Sequence, residues 1–152
     1  MSKKARNRKA EERLMAGYRR KLEILKNSHS FNAHETAGEK EARIKAAKDD
    51  PVTFAETYLP HYASSKCATF QHEAARRILR TKDIRIVLRW ARAHAKSVWA
   101  DIIIPLWLWF RSEPMYLVIV GSSHERAKTL LSDVQAEFEA NPRLIHDCGD
   151  QQ

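Results

Sequence analysis

Glycine is scarce in this chain, four residues in 152, and the stretch "RWARAHAKSVWA" at 89–100 contains none. Any sharp turn there has to be made by residues that carry a Cβ. Cysteine is scarcer still. Cys67 and Cys148 lie far apart, with neither a CxxC spacing nor the density of a disulfide scaffold, which excludes a stapled secreted domain and fits a reducing cytoplasm. There is no long hydrophobic run. The most apolar stretch, 102–110, contains Pro105 and is bounded by Asp101 and Arg111. It falls far short of the ~20 residues a membrane helix needs, so it reads as buried core and no membrane partner is expected. The N-terminus is charged with no apolar segment behind it, so no secretory signal is expected. The seven histidines show no metal-ligand spacing.

What is present suits a soluble globular chain: 43% of the residues are hydrophobic, and the length allows one domain with a core. The formal charge of +8 is unevenly placed. Residues 1–30 carry ten Lys/Arg against three Asp/Glu, and the rest carries seventeen against sixteen. A basic segment of this kind is either a solvated helix face or a contact for nucleic acid or an acidic partner.

Periodicity divides the chain into a basic helical segment at 1–50 and a second part at 51–152. In the first, Leu14, Tyr18, Leu22 and Leu25 form one stripe of an amphipathic helix over 10–26. The polar run "NSHSFNAHETAGE" interrupts it, and a weaker helix follows over 39–48 before "DDP". In the second part, Phe54, Tyr58 and Leu59 belong to a short helix ending at Pro60. Thr69 is the expected N-cap of the next helix, with Ala74, Ala75, Ile78 and Leu79 on its buried side. Ile84, Ile86, Val87 and Leu88 suit a buried strand, and "MYLVIVGSS" a second. Between them "SVWADIIIPLWLWFRS" reads as a helix kinked or ended by Pro105, and "HERAKTLLSDVQAEFEAN" as a last helix closed at Asn141-Pro142. Ser122 and Ser123 are expected to cap that helix. The order helix, strand, loop, helix, strand, helix predicts an α/β domain with a parallel sheet.

The loop between the first strand and its helix has the outline of the phosphate-binding pattern GxxxxGK[ST]. There, backbone N–H groups at a helix N-terminus meet phosphate oxygens, the lysine reaches the outer phosphates and the hydroxyl binds magnesium. Lys96 and Ser97 stand at the last two positions; Trp90 and Ala95 replace the glycines, and Ala93 sits mid-loop. A non-glycine residue in the left-handed conformation costs roughly 1–2 kcal/mol, which packing and a bound triphosphate could offset. An ordinary strand–helix turn with a solvent-facing lysine is the alternative.

Three segments in order, "FQHEAARRIL", "LRWARAHAKSVWADIIIPLWLWF" and "MYLVIVGSSHERAKTLLSDVQAEFEANPRL", resemble the N-terminal part of the ATPase domain of tailed-phage terminase large subunits, over 51–152. The resemblance implies a P-loop NTPase-like fold of the RecA/ASCE type, with a partial parallel sheet. It implies ATP and Mg2+ as cofactors, and double-stranded DNA, a small terminase subunit and a portal ring as partners. It further implies a homo-oligomeric ring in the full-length form and action in the bacterial cytoplasm. Gln71, after Phe70, would contact the adenine. Residues Arg92, Ala93, His94, Ala95, Lys96 and Ser97 would form the phosphate loop, with Arg92 sensing or stabilising the γ-phosphate and Ser97 holding the metal.

Departures from that pattern matter too. No aliphatic strand ends in Asp-Glu, the element that holds magnesium and polarises the attacking water, and no nuclease-type acidic cluster is present. The resemblance therefore describes a part truncated before that element, which would bind ATP without hydrolysing it alone. In the resembled fold, later strands lie between the two found here, and two parallel strands with a gap make a poor sheet. Another P-loop DNA motor of helicase type, or a basic interaction module without nucleotide chemistry, remains open as an alternative.

Overall fold

The computed structural model of the chain describes residues 3–28, 32, 34–81 and 83–149, with side chains at 8 and from 11 onward in the first range. The side chains of Lys3, Lys4, Arg6 and Lys9, part of the basic segment, lie outside the described set, as do residues 29–31 and 33 of the polar run and 150–152. The helices in order are α1 (Lys3–Asn27), α2 (Ala37–Asp49), α3 (Pro51–Tyr58) and α4 (Thr69–Arg80). There follow α5 (Lys96–Val98), a π-helical turn (Trp99–Ile103), α6 (Ile104–Phe110), α7 (His124–Ala140) and α8 (Pro142–Cys148).

The expected α/β fold with a P-loop-type parallel sheet is wrong: among the described residues there is no strand at all, and the fold is helical. The two expected strands have no regular secondary structure. Along the first, Ile84, Ile86 and Leu88 are half-buried while Arg85, Val87 and Arg89 are exposed. Along the second, Tyr116, Val118 and Val120 are 92%, 64% and 86% exposed, and Met115 and Leu117 less so. No main-chain hydrogen bond among the described residues joins either segment to anything. The alternation is that of a strand, but a strand is defined by its ladder, and neither segment has a neighbour. Val87, expected in a buried strand, is 81% exposed for that reason.

The chain divides into two compact units, Asn32–Val134 and Met1–Phe31 with Gln135–Gln152. In the first, Thr36 caps α2 through a reciprocal pair: Thr36 Oγ1 accepts from Glu39 N at 3.3 Å, and Glu39 Oε2 accepts from Thr36 N at 2.8 Å. Asp50 then ends one helix and caps the next, its Oδ2 accepting from Thr53 N at 2.7 Å, with Pro51 suited to the first helical position. Phe54 and Tyr58 stack at 5.3 Å, and Phe110 lies 5.2 Å from one ring and 4.7 Å from the other. Leu59, Ile103, Leu106 and Trp107 complete this core.

Four donors or rings from elsewhere converge on the carboxyl end of α2. Trp107 Nε1 donates to Ala47 O at 3.0 Å, Arg111 Nη1 to Lys48 O, and Arg76 Nη2 to Asp49 O at 3.1 Å. His72 Nε2 lies 2.9 Å from Asp50 Oδ1. The last carbonyls of a helix lack intrahelical partners and carry the negative end of its dipole, so cationic and N–H donors are favoured there.

Pro105 neither ends nor sharply breaks its helix. Having no N–H, and with a ring that would strike the carbonyl four residues back, it forces the preceding turn to widen: Ile104 N–H bonds Trp99 O, five residues away. Helical geometry then continues to Phe110. α4 also departs from expectation, because its N-cap is Ala68 and Thr69 is the first helical residue. Gln71 supplies only the returning half of a capping box, its Oε1 taking the Ala68 N–H at 2.8 Å. Ser123 does cap α7, accepting from Arg126 N at 3.2 Å. Gly121 beside it is required for space, since a Cβ would lie 2.7 Å from Ala127 N.

In the other unit, Leu25 is buried against Ala136 and Ala140, with Tyr18 and Leu22 packed alongside, so three of the four stripe residues read from the sequence form a contact face, while Leu14 is 61% exposed. α1 itself begins earlier than its apolar pattern, at Lys3. Asn141 caps α8, its Oδ1 accepting from Arg143 N and Leu144 N, and its Nδ2 donates to the buried Glu137 at 2.8 Å. Tyr18 OH donates to Glu139 Oε2 at 2.6 Å.

Two titrations probe these features. Partial burial pushes the Asp50 carboxyl up, but the amide and hydroxyl of Thr53 and the nearby His72 ring outweigh it and hold the group below its ordinary value of 3.8. Its stabilising contribution is complete above that value and fades as pH falls through the folded pKa. Asp50→Ala is expected to cost about 1 kcal/mol near neutrality and to flatten the acid side of the stability curve, read by urea unfolding at a series of pH values. Burial, then the hydrogen bond and charge of Glu139, push the Tyr18 phenol from 10.0 to about 12. That contribution is whole below pH 10 and is lost as pH climbs through about 12. A phenolate titration of wild type minus Tyr18→Phe should show the missing step at the higher value.

Candidate functional site

The glycine-free loop makes its turn with alanines. Ala93 has φ of 68° and Ala95 φ of 52° and ψ of 31°, both left-handed. Each such residue costs roughly 1–2 kcal/mol relative to an ordinary conformation. Alanine is penalised less than branched or bulky residues because only its Cβ meets the following carbonyl, although Asn and Asp enter this region more readily. His94 N donates to Ala91 O at 3.4 Å, and Trp99 N to Ala95 O at 2.9 Å, so Ala95 is the last residue before α5 opens at Lys96. α5 has no side-chain cap. The first N–H groups of a helix have no intrahelical acceptor, so those at its start are left for solvent or an anion. Residues 91–97 are all exposed.

Gln71 holds this loop from behind. It is 7% exposed, and its Nε2 donates to His94 O at 3.1 Å while its Oε1 receives the Ala68 N–H. Phe70, its neighbour, packs edge-on to Trp90 at 5.0 Å and against His94 at 5.7 Å. His94 Nδ1 lies 3.1 Å from Arg92 O. Between α4 and the loop is a cavity of about 320 Å³, at the small end of the range that holds small molecules. It is lined by Tyr62, Phe70, Gln71, Ala93, His94, Ala95, Trp99 and Ile103, together with residues 63–68.

Of the residues read from the sequence, Gln71, Ala93, His94 and Ala95 come together at this cavity, while Arg92, Lys96 and Ser97 stand exposed on the loop and outside its lining. Gln71 is expected to contact a base, yet its carboxamide is already engaged at both ends, leaving one N–H and one lone pair. The 63–68 wall, with Ser64, Ser65, Lys66 and Cys67, escaped sequence reasoning. Its one signal is the run of small polar residues just ahead of a helix. Burial, and then the charges of Glu56 and Asp50, raise the Cys67 thiol, so it is an unreactive wall residue. Asp101, in the π-helical turn, is raised by burial and drawn partly back by Arg126.

The donor set fits a triphosphate better than a metal. Exposed Arg92 and Lys96 flank open main-chain N–H groups, which is what a polyanion requires. Among the described residues no group of three His, Cys, Asp or Glu could hold a metal ion. Ser97 alone offers one hydroxyl, so magnesium would arrive with the phosphates, as that cation prefers. No helix among the described residues is long and apolar enough to cross a membrane. Comparison with protein-family models, curated proteins and solved structures finds no match for the chain.

If the left-handed alanines carry the cost assigned to them, glycine should relieve it. Ala95→Gly is expected to raise the unfolding free energy by up to about 1 kcal/mol, the relief exceeding the entropy glycine adds to the unfolded chain. Ala100→Gly, in helical backbone, should lower it by about the same amount. Denaturant midpoints of the two variants against wild type measure both.

Proposed function

We propose that this chain is the ATP-binding segment of a tailed-phage or prophage terminase large subunit, the motor that packages double-stranded DNA into a capsid. The observation that carries the reading is Ala95, left-handed at the head of a helix that opens with Lys96 and Ser97. That is the backbone state a phosphate-loop glycine supplies, here adopted by a residue that resists it. Such strain clusters at ligand sites, although Asp83 and Ser112, outside the loop, also have positive φ. The reading rests on this loop and involves no sheet.

In this assignment Lys96 meets the outer phosphates as a point charge. Arg92, planar and always cationic, spreads over two oxygens of the terminal phosphate. The N–H groups at the start of α5 take the remaining oxygens, and Ser97 faces the magnesium that accompanies ATP. The cavity between α4 and the loop is the place for the base. Binding without turnover is expected of this chain alone, because no Asp-Glu pair follows either expected strand. Double-stranded DNA, a small terminase subunit, a portal ring and a homo-oligomeric ring of the full-length protein are the partners, in the cytoplasm of a bacterial host.

Titration with a fluorescent ATP analogue tests this. Wild type should bind, and Lys96→Ala should bind about ten- to a hundredfold more weakly, the loss of a charge-assisted contact. Equal affinity in the two proteins would return the loop to an ordinary helix start. No binding by either would favour the basic interaction module, since another P-loop DNA motor would share the loop and bind.

A further inference from the structure

We infer that Gln71 is the positioning residue of the phosphate loop, acting through the main-chain carbonyl of His94 and not by contact with a base. The inference rests on the nucleotide reading above and names what holds that site in its binding form.

Three observations lead there. First, Gln71 is buried and bifunctional: one end of its carboxamide is fixed to Ala68 at the start of α4, the other to His94. Second, His94 sits between the two left-handed alanines, so its carbonyl is the fixed point of the strained turn. A peptide unit is planar and trans, which sets the carbonyl oxygen of His94 and the N–H of Ala95 on opposite sides of one rigid plate. Tying that oxygen to Gln71 therefore aims the Ala95 N–H away from α4 and orients the amides that follow it. Third, no other described side chain hydrogen-bonds the loop's main chain from outside it; His94 Nδ1 to Arg92 O is internal to the turn. The Phe70 ring adds packing against His94 and Trp90 but no direction. Without the Gln71 bond, alanine's preference for negative φ would meet no hydrogen bond from a side chain outside the loop at either position.

A base contact and a positioning role differ in which ligands they affect. Inorganic tripolyphosphate has the phosphates of ATP and no base. The informative variant is Gln71→Glu, which keeps the acceptor for Ala68 N–H and so the start of α4, but replaces the donor to His94 by an oxygen that repels the carbonyl. In the full chain, near neutral pH, Gln71→Glu should weaken ATP and tripolyphosphate by the same factor, about tenfold for one hydrogen bond. It should also speed amide hydrogen exchange at His94 and Trp99, the two amides at the loop that have main-chain acceptors, while leaving α2 and α3 protected. Gln71→Ala should do the same, with a further loss of global stability from the cap.

Weaker ATP binding with tripolyphosphate unchanged would overturn the inference in favour of base contact. Unchanged exchange at His94 and Trp99 would overturn it regardless of affinity. If wild type binds neither ligand, the nucleotide reading fails by itself; exchange then decides the brace alone, faster exchange in Gln71→Glu sustaining it and equal exchange ending it.

Discussion

The carboxyl end of α2 is the constraint on which the larger unit depends. Three successive carbonyls, of Ala47, Lys48 and Asp49, would be left open by the helix that ends there; the first two are closed by donors from α6 and its C-cap, and the third by Arg76 of α4. Ala47 is buried, Lys48 half-buried and Asp49 exposed, so the cost of an unmet carbonyl is greatest at Ala47, where water reaches the acceptor least. Trp107 is fully buried, and its N–H has this one carbonyl as partner. Arg111 covers the indole face at 5.3 Å, and Lys48 lies over Phe110 at 5.9 Å, which screens the same spot from solvent.

From that point the candidate site is held at both ends. α4 is attached through Arg76 to Asp49 O and through His72 to Asp50, and it carries Gln71 on its first turn. The helical path from Lys96 to Phe110 is attached through Trp107 and Arg111. The loop lies between these two anchors in sequence. Its strain can be sustained because the elements on either side cannot relax toward it without undoing the α2 terminus. The π-helical turn belongs to the same logic: one extra residue in the turn shifts all later side chains by about 100°. That is how Ile102 and Ile103 on one side of Pro105 and Leu106 and Trp107 on the other are all buried.

The helices were legible wherever an apolar period or a stop signal was strong. Phe54, Tyr58 and Leu59 proved to be core, and the stops at Pro60 and Asn141-Pro142 hold. The stripe of α1 from Tyr18 to Leu25 packs as its spacing implies. The cap of α4 was misread because Gln71 reaches back from the third position, something residue type at the N-cap position does not disclose. The sheet was not legible for a different reason. Aliphatic and β-branched content in 84–88 and 115–120 reports that each segment would suit a sheet, not whether a neighbour exists, and a ladder is a property of pairs. In the loop, Lys96 and Ser97 could be read off directly. The left-handed state of Ala95 could not, since alanine gives no hint of it, and the role of His94's main chain has no sequence signature at all.

Those two segments carry a further consequence for the behaviour of the chain in concentrated solution. "MYLVIV" at 115–120 is six residues long, uncharged, free of proline and glycine, and rich in β-branched and aromatic side chains. Its Tyr116, Val118 and Val120 face outward with their main chain unpaired. These are the attributes of a segment that stacks in register with identical copies into dry, interlocked fibrillar sheets. Pro114 before it and Gly121 after it confine the stretch to six residues, and Arg111 and Glu113 place charge beside its entrance. The +8 net charge is carried largely by residues 1–30 and not by this segment, so it places no like charge within the six residues themselves.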